Sequence, residues 1–248
     1  MVWRRGSGLI GAWSLRQRKS MTGKCLQDGL ARSTTMEHVS LNIIRREHRA
    51  LSAMLRAIVL LLDAYGKHGT LPDFGALRAM LFYVDEFPER LHHPKESRLL
   101  FPKLRGHDAP TDALLDRLER EHADGEHAIR ELEHALTGLE MMADTDECDA
   151  RRAVFERAMT TYIDRYLDHM KTEEAHVLPL ADRLLGIADW TELDAAFATN
   201  RDPLAGAEPA AAYRPLYLKI LHALPVTGGV AGALEALAGF GPPTYHTS

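Results

Sequence analysis

From Leu41 onward the apolar positions advance by three and four residues without a break: Leu41, Ile44, His48, Leu51, Leu55, Ile58, Leu62, Tyr65. That period places them on one stripe of a long helix, which Gly66 and Gly69 bring to an end. A second helix is predicted from Asp73 through Leu77, Leu81, Val84, Pro88, His92, Glu96 and Leu99, with Pro88 and Pro94 bending it just before the final polar pair. Beyond a loop at Gly106 and Pro110, a third stripe reads Leu115, Leu118, His122, Gly125, Ile129, Leu132, Leu136; the small Gly125 leaves room beside His122 for something other than a side chain. An acidic loop over 141–149 leads to a fourth, with Phe155, Ala158, Tyr162, Tyr166, His169, Glu173, His176 and Leu180 on one face. The pattern predicts an all-α protein in which every long helix turns a histidine inward.

Two of those histidines sit in matching contexts. His92, Glu96 and Pro102 repeat as His169, Glu173 and Pro179, each with the glutamate four residues after the histidine and the proline ten. On a helix, positions four apart lie one above the other, so each pair aims an imidazole and a carboxylate at one spot. A single pair of this kind reads most simply as a solvated surface pair. Its place in an apolar stripe argues otherwise, because a buried polar group left without a partner costs about 1–3 kcal/mol. His48, His92, His122 and His169, with Glu96 and Glu173, are all satisfied at once by a shared metal site. The first two helices and the last two also read as copies of one hairpin, Glu47-His48 with His92 and Glu96, then Glu121-His122 with His169 and Glu173. Two facing half-sites make a dinuclear centre. Imidazole with carboxylate suits iron, manganese or zinc, whereas calcium takes only oxygen and structural zinc usually takes thiolate.

Composition narrows the remaining possibilities. A net charge of -5 gives no basic face for nucleic acid, and the longest aliphatic run, Ala57 to Leu62, is too short to cross a bilayer. Cys25 and Cys148 have neither zinc nor redox spacing, which points to a reducing, cytoplasmic setting. Residues 1–35 are basic and aperiodic; they read as a disordered extension or an early start, with Met21 or Met36 the true beginning, and their composition also fits a transit peptide. Residues 187–248 form a C-terminal extension, with short helices expected over Trp190–Phe197 and Tyr213–Leu224 and no chemistry of their own.

Glu47-His48-Arg49-Ala50-Leu51, the run Phe87 to Glu96 with Leu100-Phe101-Pro102, Glu121-His122, and His169 to Pro179 together resemble the hemerythrin-like, or HHE cation-binding, domain over residues 38–186. The resemblance implies an up-down-up-down four-helix bundle with a non-haem di-iron site. It also implies terminal ligands at His48, His92, His122 and His169, with bridging carboxylates at Glu96 and Glu173. Oxygen-carrying members place a second histidine one turn after the third-helix ligand, where this chain has Glu126. They place the last carboxylate five residues after the fourth-helix histidine, here Glu174, although helical geometry favours Glu173. Glu126, Glu174, His176 or His68 would complete the set, with His93 behind it or exposed. The implied protein binds two iron ions, or manganese, and takes O2 or NO for sensing or stress response in preference to oxygen transport. An oxidoreductase reducing NO or peroxide through a separate electron-donor protein is the second reading, and a metal-free helical interaction module the third.

Overall fold

The computed structural model describes residues 38–68, 71–207 and 211–223, and every regular element among them is helical. None of these helices is long and apolar enough to cross a membrane. The expectations for residues 1–35 and for the chain after Ala223 lie outside the described residues.

Helix α1 spans Val39–His68 and buries the whole stripe from Leu41 to Tyr65. The side chain of Asp73 accepts from the Ala76 amide and so caps α2, Phe74–Val84. From there the chain stays helical to Leu104 through a π-helical stretch at Asp85–His92, α3 at His93–Lys95, a second π stretch at Glu96–Leu100, and α4 at Phe101–Leu104. Asp108 caps α5, Ala109–Met141, by accepting from the Thr111 amide, and α6 runs Cys148–Thr172. A third π stretch, Glu173–Val177, then leads into α7, Leu178–Leu184.

The prolines account for the π turns. Pro94, Pro102 and Pro179 have no N–H to offer, and a proline ring crowds the carbonyl four residues back. At each of them the preceding residue donates instead to the carbonyl five back: His93 to Pro88, Phe101 to Glu96, Leu178 to Glu173. The bend expected at Pro88 and Pro94 is therefore realised as widened turns in an unbroken helix. These turns begin or end at His92, Glu96 and Glu173, the residues that the sequence singles out.

Two apolar clusters form the core. One gathers Leu51 to Leu62, Leu77 to Val84, Ile129 to Leu139 and Phe155 to Tyr166; the other gathers Leu41, Ile44, Leu100, Phe101, Leu115, Leu118 and Val177 to Ala181. Each long helix contributes residues to both clusters, and its polar site residues lie where the two sets meet in sequence. The second cluster also takes Trp190, Leu193 and Phe197 from α8, Ile187–Phe197, worth roughly 1.5–3 kcal/mol for each side chain. Asp194 of α8 accepts from both the amide and the hydroxyl of Ser40, at 2.7 and 2.6 Å, and so holds the first turn of α1. After a 3-10 turn at Ala211–Tyr213, helix α9, Arg214–Ala223, packs on α2.

Candidate metal centre

His48, His92, Glu96, His122, His169 and Glu173 converge between the two apolar clusters, all buried. Their ligand atoms form two groups, each with its atoms within 4.8 Å of one another: His48, His92, Glu96 and Glu173, and His93, Glu96, His122 and His169. Both carboxylates reach across the centre. Glu96 places Oε1 3.1 Å from His92 Nε2 and Oε2 3.6 Å from His122 Nε2. Glu173 places Oε2 3.3 Å from His48 Nε2 and Oε1 3.3 Å from His169 Nε2.

The hydrogen-bond inventory of the cluster does not close without a further partner. All four carboxylate oxygens and His92 Nε2 are buried without a hydrogen bond, and His122 Nε2 and His169 Nε2 face each other at 3.0 Å. A cation between them satisfies every one of these atoms, so the residues present fit a metal.

The outer nitrogens are held by carboxylates and a hydroxyl. His92 Nδ1 lies 2.6 Å from Glu47 Oε2 and His169 Nδ1 2.8 Å from Glu121 Oε2. His122 Nδ1 meets Ser97 Oγ, His93 Nδ1 meets Glu89, and His48 Nδ1 meets Glu174. Such partners fix ring orientation and raise ligand basicity. Burial opposes the imidazolium of His169, but the Glu173 charge and the Glu121 hydrogen bond overcome it and push the ring up to about 10. Burial likewise opposes the imidazolium of His92, and Glu96 and Glu47 hold that ring well above its usual value. Burial works against the Glu173 carboxylate, yet His169, His122 and His48 hold it well below the carboxylate range. A metal entering this cluster displaces protons.

One turn along lies a second polar group. The hydroxyls of Tyr162 and Tyr166 both donate to Glu89 Oε1, the former at 2.8 Å, while Glu89 Oε2 meets His93. Burial pushes Glu89 up to about 7 in spite of its phenol donors. The space beside Gly125 is taken by the Tyr166 hydroxyl and the Glu89 carboxylate, so the gap left by the missing side chain is filled by side chains. The two phenols thus point to Glu89.

His93, which the sequence places behind the ligand set or exposed, is not exposed. It is buried, stacked on His122 with ring centroids 4.3 Å apart, and a member of one ligand group. On a regular helix neighbouring residues diverge by about 100°, which with His92 inward turns His93 away; the widened turn ending at His92 brings both inward, one to each group. Of the four further candidates, the three whose side chains are described fall elsewhere. The Glu126 side chain is 58% exposed and pairs with Arg130. Glu174 is 43% exposed and bonds the outer nitrogen of His48. His176 faces solvent because the π turn at Glu173–Val177 inserts a residue, and Val177 takes the inward position. The His68 side chain lies outside the described residues.

The extension also carries polar chemistry, which the sequence reading missed. Asn200 and Asp202 are buried, and Asp202 accepts from the Tyr83 hydroxyl at 2.8 Å and from the Leu204 amide at 2.9 Å. Burial, aided by the Glu47 charge, pushes Asp202 up to about 7. Its folded value thus lies above its unfolded one, so between about pH 4 and 7 the folded chain holds a proton that the unfolded chain has lost, and stability falls as pH rises through that window. Asp202→Asn is expected to match wild type near pH 4 and to exceed it increasingly up to pH 7, by at most on the order of 3–4 kcal/mol. Urea unfolding of both proteins at pH 4.5 and pH 8 checks this; an equal difference at the two values contradicts it.

A family model of the hemerythrin HHE cation binding domain matches residues 39–181. No curated protein and no solved structure gives a match.

Proposed function

The chain belongs to the hemerythrin HHE cation-binding family, and from that membership we propose that its buried cluster holds a dinuclear iron centre that binds a small diatomic ligand, O2 or NO, for sensing or stress response. The observation that carries the reading is the pair of ligand groups joined through Glu96. His48 and His92 would hold one ion, and His93, His122 and His169 the other. Glu96 and Glu173 would bridge them, each with one oxygen toward either half. Iron bound there supplies one-electron redox change and a coordination position for the ligand.

A small, partly open cavity of about 10 Å³ lies against the centre, lined by Glu47, His48, Leu51, Phe87, Pro88, His92, His93 and Asp202. That is close to the least space that holds a single water molecule. The acids behind His92, His169, His93 and His48 keep those rings oriented as donors.

Metal content after purification without chelator, followed by anaerobic Fe(II) loading and titration with NO and then O2, tests the reading. Iron in both positions and a new visible absorption on adding NO or O2 are expected. Manganese as the native metal changes the ion and keeps the centre. A chain that takes up no metal, or loaded protein whose spectrum responds to neither gas, would refute the proposal.

A further inference from the structure

The matched domain ends at residue 181, yet the chain beyond it reaches the back of the metal centre. Phe197, fully buried in α8, sets its ring edge against His92 with centroids 5.9 Å apart. Three residues later the side chain of Asn200, also buried, lies between two groups of the centre. Lys95 Nζ donates to Asn200 Oδ1 and to Thr199 Oγ1, the latter at 2.9 Å. Only the amide oxygen can accept from an ammonium, so the NH2 group must face the other way. It does: Asn200 Nδ2 donates to Glu47 Oε2 at 2.9 Å.

That oxygen is the one facing His92 Nδ1. Glu47 is therefore fixed from two directions by donors to a single oxygen, one of them the ligand ring and the other the extension. Rotating Glu47 away would cost the His92 contact, and removing Asn200 would leave Glu47 with one constraint fewer. Lys95, lying between His92 and Glu96 in the chain, ties the same amide to the ligand-bearing turn. The backbone is anchored here as well, because Tyr83 holds Asp202 and Asp202 holds the Leu204 amide.

Among the described residues the other half of the centre takes no such contact from the extension: His93 leans on Glu89, which Tyr162 and Tyr166 hold. His169 leans on Glu121, which is partly exposed and paired with Arg117, and His122 leans on Ser97. Among the described residues, these partners come from helices within the matched range. The extension bears on one half only.

We propose that Asn200 is a positioning residue, through which the segment after α8 sets the metal affinity of the His48 and His92 half and leaves the other half alone. The inference rests on the dinuclear reading above. It gives the extension a role that the cation-binding domain by itself does not contain. Metal affinity at one ion then depends on the contact between Asn200 and Glu47.

The test is anaerobic cobalt(II) binding, in competition with a chelator of known affinity, to the full chain and to two variants. Asn200→Asp keeps the size and the oxygen that Lys95 grips but turns a carboxylate toward Glu47; one binding step is expected to weaken ~10–100-fold while the other shifts less than about twofold. Tyr83→Phe removes the hydroxyl that Asp202 accepts from and leaves the Asn200–Glu47 contact in place. It is expected to lower the melting temperature and to leave both steps in place, which separates positioning from plain stability. Unchanged steps in Asn200→Asp, equal weakening of both steps, or the same one-step loss in Tyr83→Phe would each overturn the inference while leaving the dinuclear reading intact. Failure of the wild type to bind cobalt at both positions would overturn the dinuclear reading, and the inference with it.

Discussion

Glu96→Ala is expected to abolish uptake of both metal ions, whereas His48→Ala and His93→Ala each abolish one and spare the other. Glu96 belongs to both ligand groups, with one oxygen beside His92 and the other beside His122. Its removal takes a donor from each half at once and deletes one of the two anionic charges that span the centre. His48 and His93 each belong to a single group, so their loss is local. Glu96→Gln keeps the volume without the charge. The same double loss there would assign the effect to charge and not to the cavity that alanine leaves.

Iron per chain after anaerobic loading reads the stoichiometry, and thermal melting with and without chelator gives an independent measure. An ion present at a hundred times its Kd stabilises the fold by ~2.7 kcal/mol. For a domain of this size that corresponds to roughly 5–11 °C in Tm, which chelation should remove from the wild type and leave unchanged in Glu96→Ala. Should Glu96→Ala retain one ion, the carboxylate serves a single half and the joined geometry is wrong.

The parts of this protein that obey a period are legible in its sequence. Leu41 to Tyr65 and Leu115 to Leu136 alternate steps of three and four, and the structure buries every one of those positions. His48, His92, His122 and His169 stand out because a polar residue in an apolar stripe demands a partner. What the period cannot carry is a change of period. The π turns ahead of Pro94, Pro102 and Pro179 shift the register by about one residue, which brings His93 in and sends His176 out. The signal was present in the recurrence of Pro after each His-Glu pair, but it registers as a bend unless the missing N–H is followed to the bond that replaces it.

Groups that act across long separations were illegible for a different reason. Glu47 precedes His48 and Glu121 precedes His122, and each in fact serves the histidine of the following hairpin arm, His92 and His169. Adjacency in the chain does not point to these partners, since on a helix adjacent side chains point apart. Asn200 meets Glu47 across 153 residues in a stretch with no period at all. No local rule can find such a contact.

Gly125→Ala is expected to destabilise the protein, against the usual direction for a glycine inside a helix. In an unconstrained helix interior the exchange gains about 1 kcal/mol. Here the added Cβ would fall well inside contact distance of the Tyr166 hydroxyl and 2.9 Å from Glu89 Oε1. Tyr166 cannot swing aside readily, since its ring packs on Tyr162 at 4.5 Å and on His93 at 5.5 Å. Overpacking of this kind costs about 1–3 kcal/mol, and displacing the hydroxyl sacrifices a buried bond to Glu89 worth roughly 1.5–3 kcal/mol. After the helix gain is subtracted, a net loss of roughly 1.5–5 kcal/mol remains, or ~3–20 °C in Tm. Tyr166→Phe removes the clashing oxygen, so Gly125→Ala combined with Tyr166→Phe should be more stable than Gly125→Ala alone, although Tyr166→Phe by itself is destabilising. That reversal of sign is the decisive result. If Gly125→Ala proves neutral, or if Tyr166→Phe worsens it, the hydroxyl does not occupy the space beside α5 and Glu89 is held in some other way.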